Sequence, residues 1–245
     1  MKYPVIEIFS SVQGEGPYLG SRQIFIRLYG CNLSCSYCDT VSAEMPFNCR
    51  VEKTPGKRDF IQYVNPLSLE DIAEAATALK LSQHDSVSLT GGEPLLYPSL
   101  IKDLAPLLKG TRRGIYLETN GTLPDSLAEV ISLIDIVAMD IKLPGSTGSA
   151  PFWEEHSRFL KIASAKNTFV KVIVGDNTRL EEIKMAAELI KSTAPYVILV
   201  IQPASLRGEI NKMPAINLLE MQETALEIIA DVRVIPQMHR IMGFL

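Results

Sequence analysis

The sequence predicts an α/β protein whose strands lie parallel and are joined by crossover helices, and three observations predict it. Seven short runs with strand character recur along the chain. From the second onward they begin about 22 to 36 residues apart, the length of a βα unit. The segments between them carry helix start signals rather than hairpin turns.

In chain order the runs are Ile24 to Leu28, Ser86 to Thr90, Gly114 to Glu118, Ile136 to Asp140, Phe169 to Val174, Tyr196 to Ile201 and Val232 to Ile235. Ahead of the second, Ser68 and Asp71 stand at capping-box spacing before an Ala-rich helix. Thr178 marks the start of a helix over LEEIKMAAELIKS. Residues 41–67, VSAEMPFNCRVEKTPGKRDFIQYVNPL, form a polar insertion expected to be a surface loop or lid. No repeat, long low-complexity tract or linker divides the chain, so one domain is expected over residues 1–245, with that insertion at about 41–67.

Composition narrows the function class. With 245 residues, 47% hydrophobic and 21% charged, the chain can bury a large core. It has no run of about 18 apolar residues, so no membrane span is expected. MKYPVIEIFSSVQGEGPYLG lacks the basic head and apolar stretch of an export signal, which suits a cytoplasmic protein with reduced thiols. A net charge of −4 does not supply the footprint of a general nucleic-acid binder. A small-molecule substrate is the expectation.

Three cysteines carry the most specific signal. Cys31, Cys35 and Cys38, in GCNLSCSYCDT, have C-x3-C-x2-C spacing and can bind three corners of a 4Fe-4S cube. The fourth iron is then open to a small molecule, which points to radical chemistry on S-adenosylmethionine (SAM). Zinc and disulfides are the competing readings. A structural zinc site takes four ligands, usually as two separated pairs, and only Cys49 remains, with His84, His156 and His239 far off in sequence. A closed site that includes Cys49 stays open as an alternative.

Polar residues gather where the expected strands end: Thr90-Gly91-Gly92-Glu93-Pro94, Glu118-Thr119-Asn120-Gly121-Thr122, Asp140-Ile141-Lys142, Gln202-Pro203 and Pro236-Gln237-Met238-His239. Any one of these reads as a turn. Five in phase with the strands, beside a cysteine loop, read as a site at the C-terminal ends of a parallel sheet.

The cysteine run followed by GGEP after the next strand resembles the radical SAM superfamily, whose fold is a partial (β/α)6-type barrel. The resemblance implies that Cys31, Cys35 and Cys38 hold the cluster and that its open iron chelates the amino and carboxylate groups of SAM. It also implies SAM contacts at Tyr37, Cys38, Asp39, Gly92 and Glu93, and further ones at Asp140, Ile141, Lys142, Gln202, Pro203, Ala204 and Ser205. Glycines suit the turn because a backbone without Cβ can approach a ligand closely.

Within that superfamily, IFSSVQGEGPYLGSRQIFIRLYGCNLSCSYCDT, SLTGGEP, YLETNGT and VRVIPQMH are similar to the 7-carboxy-7-deazaguanine synthase family. This implies conversion of 6-carboxy-5,6,7,8-tetrahydropterin to 7-carboxy-7-deazaguanine with loss of ammonia, on the route to deazapurines such as queuosine. The pterin substrate would meet Val12, Gln13, Gly14, Glu15, Arg27 and Thr90, and Thr40 would give a hydroxyl to Mg²⁺. An Arg27 guanidinium can grip a carboxylate with two parallel hydrogen bonds, although an edge ion pair or a snorkelling strand residue explains it equally well. Thr40 reads equally well as a helix cap. A homodimer is expected by resemblance alone.

Arg50, Lys53, Lys57 and Arg58 make the insertion basic and are expected to dock a flavodoxin-like reductant. Cys49 reads as a spare thiol, His239 as a candidate lining residue, and His84 and His156 as surface residues. Two other functions remain in view. A glycyl-radical-enzyme activating protein would use the same cluster and SAM, and a cytosolic zinc-binding interaction module would use neither.

Overall fold

The computed structural model describes residues 1–38, 44–205 and 213–245. Their strands are β1 (Lys2–Tyr3), β2 (Val5–Val12), β3 (Arg22–Leu28), β4 (Asn48–Glu52), β5 (Phe60–Val64), β6 (Leu67–Ser68), β7 (Ser86–Gly91), β8 (Ile115–Thr119), β9 (Ile136–Ile141), β10 (Asn167–Val174), β11 (Ile198–Pro203) and β12 (Val232–Val234). The helices are α1 (Leu69–Ala78), α2 (Pro98–Leu104), α3 (Pro124–Val130), α4 (Pro144–Thr147), α5 (Trp153–Ala163), α6 (Leu180–Thr193), α7 (Ala215–Leu226) and α8 (Met238–Met242). No described helix is long and apolar enough to cross a membrane.

The seven expected strands are β3 and β7 to β12, which stand side by side in chain order and pair in parallel. Helices α1, α2, α3, α5, α6 and α7 make the six crossovers, the repeat of a (β/α)6 arrangement. The strands alternate with period two, and the two faces have different fates. Val87, Leu89, Leu117, Val137, Met139, Ile141, Val170, Val172, Leu199 and Ile201 turn outward into the main core with the helices. Tyr116, Ile136, Ala138, Phe169 and Val200 turn inward and form a second, smaller apolar cluster. Further along the same inner face stand Thr90, Glu118, Asp140, Lys171 and Gln202, all on the wall of one cleft. An apolar floor beneath a polar belt is thus written into the alternation of each strand.

Helix α1 starts as its sequence requires, with Ser68 and Asp71 exchanging backbone and side-chain hydrogen bonds. Helix α6 does not use Thr178 as its cap. That hydroxyl accepts from Gly175 N at 2.9 Å and closes the preceding turn. Glu182 instead accepts from Arg179 N at 3.0 Å and Gly145 N at 2.7 Å.

The insertion departs most from expectation. Its described part is a hairpin, β4 and β5, that extends the sheet to ten strands, with β5 at the outer edge. Cys49 and Val51 are buried in the core, and the buried Glu52 accepts from Ser10 N and Arg58 N, each at 2.8 Å. A strand with one solvated face has a polar composition, which made these runs read as loop. Strand β2, absent from the expected set, lies between β3 and β4. The histidines also correct the sequence reading: His84 and His156 are both fully buried. His84 lies 2.8 Å from Ser10 Oγ and 3.0 Å from Lys80 O, while His156 Nε2 lies 3.2 Å from Asn120 O.

Candidate active site

The cysteine loop leaves the end of β3 and is held against the turn that leaves β7. Gly92 N donates to Leu28 O at 3.0 Å and Glu93 N to Gly30 O at 2.7 Å. A Cβ on Gly91 would strike the Leu28 backbone, and one on Gly92 the Gly30 backbone. The glycine pair therefore lets two backbones touch, so that the cysteines stand over the strand ends. Cys38 N donates to Cys35 O at 3.1 Å, which curls the loop. Cys31 Sγ accepts from Leu33 N at 3.4 Å and lies 3.8 Å from Asn120 Nδ2. That amide is fixed by Asn32 Oδ1 at 2.8 Å and by the Thr122 hydroxyl, which donates to its Oδ1 at 2.6 Å.

These donors fit an iron-sulfur cluster. All three thiols are free, Cys38 is exposed, and Cys31 and Cys35 are half-buried. Burial pushes the Cys31 and Cys35 thiols up, and the Lys142 ammonium pulls both the other way, toward the thiolate that ligates iron. Among the described residues no three His, Cys, Asp or Glu side chains gather round a single ion. A cube takes its thiolates on separate corners rather than at one point.

Glu93 lies below this loop and does not reach the cleft. Its carboxylate is fully buried and accepts from Leu95 N at 3.0 Å, Thr119 Oγ1 at 2.9 Å and Asn120 N at 2.7 Å. Burial pushes its pKa up to about 7 against the pull of those donors. It braces the β7 and β8 turns to one another.

On one side of the cleft Lys142 Nζ donates to Asp140 Oδ2 at 2.7 Å and reaches Tyr37 Oη at 3.4 Å, beside Cys38. Gln202 faces the same space, and both atoms of its buried amide lack a hydrogen-bond partner among the described residues. An orphaned amide of this kind is costly unless a ligand completes it. On the other side, Gln13 Nε2 donates to Glu118 Oε1 at 2.8 Å and Thr90 Oγ1 to Glu118 Oε2 at 2.6 Å. Glu15 pairs with Lys171 and accepts from Gln237 Nε2 at 2.7 Å. Burial alone would raise the Glu15 carboxyl, but the Lys171 ammonium and these hydrogen bonds hold it down at about 2. Arg27 lines the cleft and pairs with Glu7 at 3.0 Å, which is the ion pair among its sequence readings.

Most expected site residues converge on this cleft: Val12, Gln13, Gly14, Glu15, Arg27, the three cysteines, Tyr37, Thr90, Gly92, Asp140, Lys142, Gln202, Ala204, Ser205 and His239. Three do not line it. Glu93 is the brace just described, Ile141 is packed in the helix-side core, and Pro203 is buried at the end of β11. Asp39 and Thr40 lie outside the described residues. Lys171, Tyr116 and Phe169 line the cleft without having been singled out, and Glu118 and Gln237, expected only as members of the polar strand ends, line it too. Inward alternation from Thr90 and Asp140 was the available signal for Glu118 and Lys171, since strand registry places Lys171 opposite Asp140.

The basic insertion residues lie elsewhere. Strand β2 runs against β3 and β4 runs with β2, so the hairpin tip reaches the Arg22 end of β3, with Pro55 O 3.4 Å from Arg22 Nη2. Lys53 and Lys57 thus sit at the opposite end of β3 from Cys31. Arg50 is engaged by Glu7 at 3.6 Å and by the Phe60 ring at 4.2 Å.

Comparisons with known proteins agree with this geometry. The model of the radical SAM superfamily matches residues 25–199. The chain is 43% identical to 7-carboxy-7-deazaguanine synthase of Geobacter sulfurreducens, over 97% of this chain and 96% of that protein. It is 36% identical to the protein of the same name from Methanocaldococcus jannaschii, over 98% and 99%. The crystal structure of QueE from Escherichia coli shares the fold, with a TM-score of 0.59 and 22% identity over 98% of this chain and 95% of that one. With its cysteine loop seated on a glycine pair above a parallel sheet, and relatives that match it end to end, the chain belongs to the radical SAM superfamily and, within it, to the family of the 7-carboxy-7-deazaguanine synthases.

Proposed function

We propose that this protein converts 6-carboxy-5,6,7,8-tetrahydropterin to 7-carboxy-7-deazaguanine with loss of ammonia, in a deazapurine pathway of the queuosine type. The observation that carries the reading is a single cleft with the cysteine loop at its rim and Gln13, Glu15, Arg27, Thr90 and Glu118 on its wall. A 4Fe-4S cluster on Cys31, Cys35 and Cys38, with SAM bound, supplies a 5′-deoxyadenosyl radical able to take hydrogen from C6 of the pterin.

The side chains of this chain bind and orient. Tyr37, Lys142, Asp140, Gln202, Ala204 and Ser205 serve the SAM side, where the unpaired Gln202 amide offers both a donor and an acceptor. Glu15, ionised and steadied by Gln237, accepts from the ring NH and amino group of the pterin. Thr90, Glu118 and Gln13 form one hydrogen-bonded unit and present the rest of that edge. Arg27 takes the substrate carboxylate. Tyr116 and Phe169 form the floor and exclude water and stray hydrogen donors from the radical. Thr40 would offer its hydroxyl to a Mg²⁺ ion, which would supply positive charge to the substrate carboxylate, in keeping with the few protein ligands this ion takes. A flavodoxin-like reductant supplies the electron near exposed Cys38, away from the hairpin lysines. The protein acts as a cytoplasmic homodimer, and sedimentation of the cluster-loaded protein tests that assembly.

The relatives' names favour this reading over a glycyl-radical-enzyme activating protein or a zinc-binding interaction module. The test is anaerobic turnover of the cluster-loaded protein with SAM, dithionite, Mg²⁺ and the pterin, followed by mass spectrometry. The reading requires 7-carboxy-7-deazaguanine, lost in Cys35→Ala. SAM cleavage without that product would remove the substrate assignment and keep the radical enzyme.

A further inference from the structure

We propose that Lys171 is a positioning residue whose ammonium ties the substrate-side carboxylate Glu15 to the SAM-side carboxylate Asp140, so that one side chain sets the two halves of the cleft against each other. This rests on the functional reading above and adds to it a residue with no assigned part.

The geometry is specific. Lys171 stands at mid-strand in β10, directly opposite Asp140 in the parallel register with β9. Its Nζ contacts Glu15 Oε2 and lies 3.7 Å from Asp140 Oδ1. Each carboxylate has its other oxygen taken: Glu15 Oε1 by Gln237 Nε2 and Asp140 Oδ2 by Lys142 Nζ, both at 2.7 Å. The result is a continuous chain from Gln237 through Glu15, Lys171, Asp140 and Lys142 to Tyr37, from the pterin wall to the cysteine loop. Met238 N donates to Gly14 O at 2.9 Å, which holds the Gln237 end of the chain to the loop that carries Glu15. The side chains of Lys171, Asp140 and Glu15 are only 14%, 14% and 17% exposed, so water screens the chain weakly.

Charge gives the reason for the tie. Glu15, Glu118 and Asp140 point into one cavity, faced by Lys171 and Lys142, with Tyr116 on the floor and His239 beside Gly14. Burial lowers the Lys171 ammonium, but Asp140, Glu15 and Glu118 more than reverse that, and it stays charged. Without it, Glu15 would keep its burial and lose its main counter-charge, and its carboxyl would climb into the working pH range. A protonated Glu15 cannot accept both pterin donors. Asp140, still paired with Lys142, would change less.

The test is the affinity of the cluster-loaded, unreduced enzyme for the pterin, by anaerobic calorimetry between pH 6 and 9. It is accompanied by SAM affinity and by the yield of product per 5′-deoxyadenosine. In Lys171→Met, pterin binding should weaken by about tenfold for each pH unit below the raised Glu15 pKa and recover as pH rises. SAM binding should hold, and SAM cleavage should run ahead of product. Lys171→Arg should restore both affinity and coupling. The double variant Glu15→Gln with Lys171→Met has no carboxyl at position 15 to titrate, so it should load the cluster and hold the pterin about as weakly as Lys171→Met does at low pH, with no such pH dependence. A Lys171→Met enzyme with wild-type affinity at every pH would overturn the proposal. So would a double variant that keeps the steep dependence, even if Lys171→Met failed to fold. A wild-type enzyme that neither binds nor converts the pterin would instead overturn the functional reading.

Discussion

At the scale of single residues, the cleft depends on carboxylates that accept on both oxygens. Glu118 receives Gln13 on one oxygen and Thr90 on the other. In Glu118→Gln the amide oxygen can keep Gln13 only if its NH2 turns to Thr90, whose hydroxyl must then accept and loses the acceptor for its own proton, a loss of about 1–3 kcal/mol for an unsatisfied buried group. The expected outcome is a pterin KM raised by about tenfold or more, with SAM affinity unchanged, measured by steady-state turnover. His156 gives a different signature. Burial holds its pKa down at about 4 against an ordinary 6.5, so the folded protein resists protonation more than the unfolded chain does. Its contribution to stability is complete above pH 6.5 and is lost as pH falls toward 4, at up to about 1.4 kcal/mol per pH unit. Glu93, raised to about 7, acts in the opposite sense over part of that range, so the comparison must be between variants. The thermal midpoint of His156→Gln should fall less steeply from pH 7 to 5 than that of the parent. Neither histidine was legible as buried, because a sequence shows a polar residue near a strand or in a helix but not the carbonyl that satisfies it.

At the scale of elements, the junction between the β3 loop and the β7 turn is the most constrained place in the fold. Gly92→Ala would push a methyl into the Gly30 backbone and lift the cysteine loop from its seat. Cluster loading should drop severely, seen as lost visible absorbance and iron content, while far-ultraviolet circular dichroism keeps its form. Periodicity exposed the seven parallel strands because alternate residues on their helix-covered face, such as Val87 and Leu89 or Val137, Met139 and Ile141, are apolar and buried. The hairpin β4–β5 escaped for the converse reason. NCRVE sets the exposed Arg50 between the buried Cys49 and Val51, FIQYV is exposed beyond a half-buried Phe60, and a Pro-Gly turn between them resembles any surface loop. Thr178 misled because a hydroxyl before a helix can close a turn as readily as cap the helix.

At the scale of the whole molecule, the chemistry was more legible than the architecture that holds it. Cys31, Cys35, Cys38 and the glycine pair announce themselves by spacing. Most of the polar belt, Thr90, Glu118, Asp140 and Gln202, was legible at the strand ends, but Lys171 is an ordinary charged residue at mid-strand until registry with β9 sets it opposite Asp140. The basic insertion shows the reverse limit: Lys53 and Lys57 are close to Cys38 in sequence but are carried by β4 to the far end of the sheet. That same hairpin makes β2 an interior strand, flanked by β3 and β4, with the Glu52 carboxylate completing the ladder at Ser10 N. The loop proposed to read the pterin, Gln13 to Glu15, begins where β2 ends, so its mounting is clamped on both sides. In deuterated solvent the amides of β2 should therefore be among the last to exchange. Glu52→Ala should release the Ser10 amide and its neighbours early, making a surface insertion the timekeeper of the buried site.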